Sequence, residues 1–206
     1  MDGNRGLSKL QGKIACIILA SGMSIRFGKI KLLYKFQGKP LLQWSIDTAN
    51  DSMADYVILV VGAYAAKILG KVQTERAQVV LNKNFKEGQS SSIKCGISNL
   101  PRDCSAAILM VADQPFIKSE YLDELIRVFK KGKRTKIVAL SKGKEARNPV
   151  LVRRELFPQL LELKGDAGAR SIVRRSSRLQ LVPVADPKAF FDVDTESDVS
   201  EFESDN

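Results

Sequence analysis

The chain has 206 residues, of which 33 are lysine or arginine and 23 are aspartate or glutamate, giving a formal net charge of +10. This charge favours an anionic partner such as a nucleotide, a phosphorylated metabolite or a nucleic acid. The sequence contains no histidine, which excludes histidine as a general base, nucleophile or metal ligand, so any bound metal must be held by oxygen or thiolate.

Cysteine spacing and hydropathy bear on the cellular compartment. Cys16, Cys95 and Cys104 lack the C-x-x-C spacing of zinc sites, and an odd number of dispersed cysteines favours a reducing compartment over a disulfide scaffold. Cys16 lies within an apolar run and is expected to be a small core residue. No apolar stretch reaches the roughly 18 to 20 residues needed to cross a bilayer, and the polar N-terminal segment shows no secretory signal. We therefore expect a cytoplasmic protein.

Short apolar runs rich in β-branched residues alternate with segments of helical character. The predicted strands are residues 14–19, 56–61, 78–81, 106–111, 137–140, 149–152 and 179–184, and the predicted helices are residues 41–50, 63–69, 90–99, 119–130, 154–163 and 168–175. This alternation indicates right-handed βαβ crossovers and a mainly parallel sheet. Because the sequence shows no internal repeat and no low-complexity linker, one α/β domain is the simplest interpretation. Residues 1–12 and 201–206 are expected to be mobile.

The loop after the first predicted strand carries the strongest chemical signal. Ligands of parallel sheets bind beyond the carboxyl ends of the strands, and residues 19–31 form a loop of small residues at such an end, with Arg26 and Lys31 as cations. Its backbone N–H groups can approach a phosphate chain closely, which predicts a site for a nucleoside triphosphate. The loop matches neither the Walker pattern nor the dinucleotide fingerprint. A flexible, solvated basic loop is the alternative.

Two carboxylate motifs are candidates for metal binding. Asp113 follows the apolar run 106–111 and precedes a turn-setting proline, while Asp192 and Asp194 alternate near the C-terminal end. Alternating side chains of an extended segment point the same way, and Mg²⁺ needs only one or two protein carboxylates when it also binds substrate phosphates. Asp113 and a carboxylate of the C-terminal motif can therefore hold one Mg²⁺. The structural alternatives are a helix cap or turn for Asp113 and a helix cap for Asp194.

Two further segments carry weaker signals. Residues 88–96 form a second small polar loop that opens a helix, where N–H groups and hydroxyls can contact a base or ribose, although a serine-rich cap explains the same pattern. Arg170 can bind an anionic second substrate, because a guanidinium matches phosphate in a bidentate way. The alternative for Arg170 is a surface position paired with Asp166.

Together these motifs resemble those of the MobA-like nucleotidyltransferases, and within them the molybdenum cofactor cytidylyltransferases. The family opening L-A-[AG]-G-x-S-x-R-[MF]-G-x-x-K-L-L corresponds to LASGMSIRFGKIKLL at residues 19–33. The motifs G-x-x-x-S-[LI]-x-x-G, D-Q-P, G-D-x-G-A-R and D-[IV]-D-T correspond to residues 88–96, 113–115, 165–170 and 192–195. The resemblance spans about residues 13–200 and implies a three-layer, Rossmann-like α/β nucleotidyltransferase fold with a mainly parallel sheet.

The resemblance implies a magnesium-dependent enzyme that transfers CMP from CTP to the molybdopterin cofactor and releases pyrophosphate. CTP is favoured over GTP because D-Q-P is typical of the cytidylyl branch, whereas Ser21 matches neither the alanine of that branch nor the glycine of the guanylyl branch. One departure from the family pattern is that Arg147 and Asn148 replace Gly-His near the second substrate. This replacement is compatible with a modified pterin, a different acceptor or a drifted site that still works.

The resemblance also implies individual residue roles. Arg26, Lys31 and Asp113 are expected to be catalytic, with the two cations stabilising charge on the leaving pyrophosphate and Asp113 holding Mg²⁺ together with Asp194. The nucleotide is expected to contact the residues Leu19, Ala20, Ser21, Gly22, Arg26, Lys31, Gly88 and Ser92.

On the acceptor side, Asn148 and Arg170 are expected to bind the second substrate. The expected partners are CTP or GTP, a molybdopterin-type acceptor and a molybdoenzyme, with no nucleic acid and no membrane. Three alternatives remain open at this point. They are a guanylyltransferase or a sugar or other phosphate nucleotidyltransferase of the same fold, a protein that binds nucleic acid through its phosphates, and a nucleotide-binding accessory protein for molybdoenzyme maturation.

Overall fold

The computed structural model describes residues 12–23, 27, 29–195 and 197–198. Its strands are β1 (Lys13–Ala20), β2 (Lys35–Phe36), β3 (Lys39–Pro40), β4 (Tyr56–Val61), β5 (Gln78–Leu81), β6 (Cys104–Val111), β7 (Ile137–Lys142), β8 (Glu145–Arg153) and β9 (Leu179–Pro183). Its α-helices are α1 (Leu41–Asp51), α2 (Ala65–Leu69), α3 (Gln89–Ser98), α4 (Ser119–Lys131), α5 (Phe157–Leu161) and α6 (Arg170–Arg175). Seven strands form one sheet in the order β5-β4-β1-β6-β8-β7-β9, and β2 pairs with β3 in a separate hairpin.

Strand β1 is an interior strand of the sheet, parallel to β4 on one side and to β6 on the other. Its residues 14–18 are all buried, as expected for a strand covered on both faces. Alternate side chains serve different faces, with Cys16 and Ile18 in one core cluster and Ile17 in another. Cys16 is thus a core residue, as predicted.

Helices cover both faces of the sheet and give the chain three layers. One core cluster takes apolar side chains from α1, α2 and α4, and the other takes them from α3, α5 and α6. In α4 the buried residues Leu122, Leu125, Ile126 and Phe129 follow the spacing of one helix face. The predicted three-layer α/β fold is confirmed.

Strand β8 runs opposite to the other strands of the sheet and pairs antiparallel with both β6 and β7. Only two residues, Gly143 and Lys144, connect β7 to β8, and antiparallel neighbours are the only strands that so short a turn can join. Gly143 has a φ of 60°, a left-handed conformation that glycine adopts readily. The sheet is therefore mainly parallel, as predicted, with one reversed strand.

The predicted elements agree with the structure apart from local differences. Predicted helix 154–163 is a 3₁₀ turn at Arg154–Leu156 followed by the short α5, and predicted strand 149–152 is only the second half of β8. The β2–β3 hairpin was not predicted, since its strands have two residues each. The predicted mobile termini lie outside the described residues, except for Gly12. No helix in the described part of the chain is long and apolar enough to cross a membrane.

Candidate active site

A cavity of about 540 Å³ opens at the carboxyl ends of β1 and β6. These ends lie side by side because the strands are parallel neighbours, with Leu19 opposite Val111. Residues predicted to bind nucleotide or metal line the cavity, namely Leu19, Ala20, Ser21, Gly22, Lys31, Gly88, Ser92, Asp113 and Asp194. The structure therefore brings together distant motifs of the sequence, while the predicted role of Arg26 lies outside the described residues.

The side chain of Lys31 joins the two predicted metal ligands. Its Nζ donates hydrogen bonds of 2.9 Å to Oδ2 of Asp113 and 2.9 Å to Oδ1 of Asp194. Only 11% of the Lys31 side chain is exposed. Burial alone would lower the pKa of Lys31, but the two carboxylates outweigh it and hold the pKa above its ordinary value. Lys31 is thus a charged ammonium at neutral pH.

The segment that carries Asp192 and Asp194 is anchored by the residue between them. Val193 is fully buried within an aromatic cluster that includes Phe27 and Phe36, and its N–H donates a 3.0 Å hydrogen bond to the carbonyl of Asp113. Because alternate side chains of an extended segment point to opposite sides, the burial of Val193 directs both aspartates away from that cluster.

Gln114 holds the carboxylate of Asp192 in place. Its Nε2 donates a 2.9 Å hydrogen bond to Oδ1 of Asp192, while its buried Oε1 has no hydrogen-bond partner among the described residues. Partial burial and the negative charges of Asp113 and Asp194 raise the pKa of Asp192, which the hydrogen bond from Gln114 only partly opposes. The site therefore concentrates more negative charge than Lys31 neutralises.

Buried hydroxyls connect the first loop to helix α3. The Oγ atoms of Ser21 and Ser92 lie 2.5 Å apart, and Nδ2 of Asn82 donates to the Oγ atoms of Ser91 and Ser92 at 2.9 and 3.4 Å. Since a hydroxyl can both donate and accept, this network fixes the start of α3 against the end of β1.

Gly88 lets the loop around residue 165 approach the start of α3. Its φ is 88°, and a Cβ atom there would lie 2.5 Å from the carbonyl carbon of Gly165 and from Oδ1 of Asp166. A 3.0 Å hydrogen bond from the N–H of Ser90 to the carbonyl of Gly165 stabilises this close approach. Two motifs that are far apart in the sequence therefore meet at this glycine.

A second cavity of about 680 Å³ adjoins the first. The residues that line both cavities are Leu19, Gln89, Val111, Asp113, Asp166 and Asp194. The predicted acceptor residues Asn148 and Arg170 line the second cavity, as does Arg147. The pair Asp113 and Asp194 thus lies where a ligand in one cavity can meet a ligand in the other.

Sequence reasoning missed two side chains of this region. Gln114 was noted only as part of D-Q-P, and its contact with Asp192, 78 positions away, is not revealed by sequence spacing. Glu145 was not singled out, although it contacts Arg147 at 2.8 Å and lies 3.7 Å from Arg170. The alternation of side chains along a strand places Glu145 and Arg147 on one face and could have identified the pair.

The three-layer architecture matches the fold of a nucleotidyl transferase from Methanothermobacter, with a TM-score of 0.79 at 17% identity over 94% of this chain and 97% of that one. The profile of the MobA-like NTP transferase domain matches residues 16–181, and the chain belongs to this family. The family predicted from the motifs is therefore confirmed.

Individual relatives are distant and carry different names. The chain is 26% identical over 190 residues to a probable molybdenum cofactor guanylyltransferase of Thermococcus gammatolerans, covering 88% of this chain and 95% of that protein. It is 26% identical over 187 residues to the nicotine blue oxidoreductase of Paenarthrobacter nicotinovorans, covering 87% and 91%. It spans only about a quarter of the bifunctional GlmU proteins that it matches, for example 28% of the one from Cutibacterium acnes.

Among solved structures, the Rv0371c homologue of Mycobacterium sp. strain JC1 has a TM-score of 0.81 and 27% identity, covering 95% of this chain and 98% of that one. The two folds therefore agree over nearly the whole of both chains.

Proposed function

We propose that the protein transfers a nucleotidyl group from CTP to a molybdopterin-type acceptor in a Mg²⁺-dependent reaction that releases pyrophosphate. The observation that carries the proposal is the position of Asp113 and Asp194, which line both cavities and are joined by Lys31. One cavity suits the triphosphate and the adjoining one suits the acceptor, so that the two substrates meet at these carboxylates.

The residues at this junction fit Mg²⁺. A single ammonium nitrogen contacts one oxygen of Asp113 and one of Asp194, so a single cation can contact both. Carboxylate oxygens are the ligands that Mg²⁺ prefers, and it usually takes only one or two from the protein together with substrate phosphates. The described residues contain no group of three or more carboxylate or thiolate side chains that could hold a metal by themselves, which favours an ion that arrives with the nucleotide. When bound, Mg²⁺ would neutralise phosphate charge.

The chain itself supplies positioning and charge. A phosphate oxygen of the acceptor attacks the α-phosphorus, a new P–O bond forms, and the bond from the α-phosphorus to the bridging oxygen breaks, so that its electron pair leaves with pyrophosphate. Lys31 lines the same cavity as residues 19–22, so its ammonium group can stabilise the charge on the leaving group. Residues 19–22 and Ser92 hold the nucleotide, and orientation of both substrates supplies much of the rate.

The second cavity provides cations for an anionic acceptor. Arg170 extends from α6 with 62% of its side chain exposed, so it is accessible to a phosphate group, which a guanidinium binds in a bidentate way. Asn148 adds an amide that can donate and accept hydrogen bonds. Arg147 supplies the additional positive charge that distinguishes this chain from the usual family pattern.

GTP is the second candidate donor, because the relative from Thermococcus gammatolerans that aligns over most of this chain is named a probable guanylyltransferase. The D-Q-P motif favours CTP instead. Ser21 leaves the choice open, because it matches neither branch.

The test is pyrophosphate release from CTP and from GTP, with and without molybdopterin cofactor and with and without Mg²⁺. We expect release that needs both the cofactor and Mg²⁺ and is faster with CTP. Asp113→Asn should reduce the rate at least about 100-fold. Asp47→Asn is the matched control, since Asp47 also pairs with a lysine, Lys39, but lines neither cavity, and it should retain the wild-type rate.

Other outcomes identify a different reaction. Faster release with GTP would make the protein a guanylyltransferase. Release that requires a sugar phosphate instead of the molybdopterin cofactor would replace the proposed acceptor. Nucleotide binding without release in the presence of any of these acceptors would contradict the transferase proposal and favour an accessory protein.

A further inference from the structure

The carboxylate of Glu145 lies between two guanidinium groups in the second cavity. Its Oε2 accepts a 2.8 Å hydrogen bond from Nη2 of Arg147, and its Oε1 lies 3.7 Å from Nη2 of Arg170. Arg147 belongs to β8 and Arg170 to α6, so the carboxylate of Glu145 links a strand to a helix. A carboxylate between two guanidiniums occupies the position that an anionic ligand would take.

Few charges other than Glu145 neutralise the basic part of this cavity. Its basic lining residues are Lys144, Arg147, Arg170 and Arg174. Of its acidic lining residues, Asp113, Asp166 and Asp194 belong to the wall shared with the first cavity, and Asp192 is engaged by Gln114. In addition, Nε of Arg147 is buried and has no acceptor among the described residues. This part of the cavity can therefore accept more negative charge than Glu145 provides.

The ion pairs of Glu145 are easily exchanged. Its side chain is 57% exposed and that of Arg170 is 62% exposed, and ion pairs in such contact with water contribute little to stability. The longer contact, to Arg170, is the weaker of the two. Glu145 is exposed at the first position of β8, so its side chain can move without disturbing the core.

We propose that Glu145 determines acceptor specificity by charge: it occupies Arg170 and Arg147 until a dianionic phosphate ester displaces it. The displacement begins at Arg170, whose contact with Glu145 is the longer. A monoanionic group competes poorly, because it offers Arg170 no more charge than the carboxylate that it must replace. The nature of the acceptor rests on the proposed function, whereas the competition between Glu145 and an anion does not.

The test measures binding of inorganic phosphate and of acetate at constant ionic strength, from the rise in Tm of the intact protein. Glu145→Gln keeps the shape of the side chain and removes its charge. We expect roughly fivefold tighter phosphate binding in this variant, the effect of removing one unit charge at about 4 Å in water. Acetate should bind to this variant but not measurably to the wild-type protein.

Two controls isolate the contact with Arg170. Glu155→Gln removes a comparable exposed glutamate, which pairs with Lys136 and lines neither cavity, and it should bind phosphate like the wild type. The double variant Glu145→Gln/Arg170→Gln should lose the gain, because the cation that Glu145 releases is then missing. Equal phosphate binding in Glu145→Gln and wild type, or a gain that persists in the double variant, would overturn the proposal.

The experiment separates this proposal from the proposed function. If phosphate binds as expected but no pyrophosphate is released with molybdopterin cofactor, Glu145 acts as described and the acceptor is a different phosphate ester. If pyrophosphate is released but Glu145→Gln leaves phosphate binding unchanged, the transferase stands and the role of Glu145 is refuted.

Discussion

The ammonium group of Lys31 lies 2.9 Å from Oδ2 of Asp113, although 82 positions separate the two residues in the chain. The contact exists because Lys31 and Asp113 follow neighbouring parallel strands, β1 and β6, whose carboxyl ends meet at one edge of the sheet. The same nitrogen reaches Asp194. The ammonium group of Lys31 therefore lies between two carboxylates.

The first prediction concerns the catalytic contribution of Lys31. Lys31→Met should lower the rate of pyrophosphate release at least about 100-fold, because the variant lacks a cation that stabilises the leaving group. Lys39→Met removes a lysine that pairs with Asp47 outside both cavities and should leave the rate unchanged. A near-normal rate in Lys31→Met would remove Lys31 from the mechanism.

The second prediction concerns competition between Lys31 and a divalent cation. If both bind Asp113 and Asp194, Lys31→Met should bind Mn²⁺ at least roughly fivefold tighter than wild type without nucleotide, because a competing positive charge is gone. Electron paramagnetic resonance of free Mn²⁺ measures this directly. Adding Asp113→Asn should abolish the gain, and Lys39→Met should show none. Unchanged or weaker Mn²⁺ binding in Lys31→Met would show that the lysine and the ion do not compete.

Some features of the fold can be predicted from the sequence and others cannot. Long apolar runs such as residues 14–19 predict buried strands reliably, because burial on both faces leaves little room for polar residues. The reversed direction of β8 could not be predicted from the run 149–152, because its first half, from Glu145 to Asn148, lines a cavity and reads as polar. Gly143, in the turn between β7 and β8, is the residue that could have indicated the reversal.

For the candidate site, motif order predicted which residues meet but not how they contact one another. Asp113 and Asp194 were expected to share an ion. Alternate spacing predicted that Asp192 and Asp194 point the same way, but not toward which groups. The burial of Val193 sets that direction, and it places Asp194 beside Lys31 and Asp192 beside Gln114.

The third prediction concerns the dependence of stability on pH. The pKa of Asp192 is raised in the folded protein, so the folded state binds a proton more readily than the unfolded state. Stability should therefore fall as pH rises from the ordinary aspartate pKa of 3.8 through the raised value. Asp192→Asn keeps an acceptor for Gln114 Nε2 and removes the charge, so it should be more stable at pH 7. Because Asp192 is exposed, solvent screening limits this gain to less than about 1 kcal/mol.

Chemical denaturation at pH 7 and at pH 3 measures this difference. The advantage of Asp192→Asn should disappear at pH 3, where the wild-type carboxyl is already protonated. An equal advantage at both pH values would mean that the gain comes from hydrogen bonding to Gln114 and not from charge. Lower stability of the variant at pH 7 would contradict the raised pKa.

The last prediction compares two glycines that both have a positive φ but differ in their surroundings. Gly88 and Gly143 have φ values of 88° and 60°. A Cβ at Gly88 would lie 2.5 Å from backbone of Gly165, whereas a Cβ at Gly143 would meet nothing within 4 Å. Alanine at residue 143 should therefore cost only the conformational term of about 1–2 kcal/mol. Alanine at residue 88 should cost about 1–3 kcal/mol more, because the Gly165 loop must shift.

Denaturant unfolding measures the two costs, and the rate of pyrophosphate release tests their functional consequence. Gly88→Ala should also lower the rate, because the shifted loop carries Asp166, which lines both cavities. Gly143→Ala should leave nucleotide binding unchanged, since Gly143 lines neither cavity. If both variants lose the same stability, the close approach at Gly88 contributes nothing beyond its backbone conformation. In that case the packing of the Gly165 loop against the start of α3 does not stabilise the region between the two cavities.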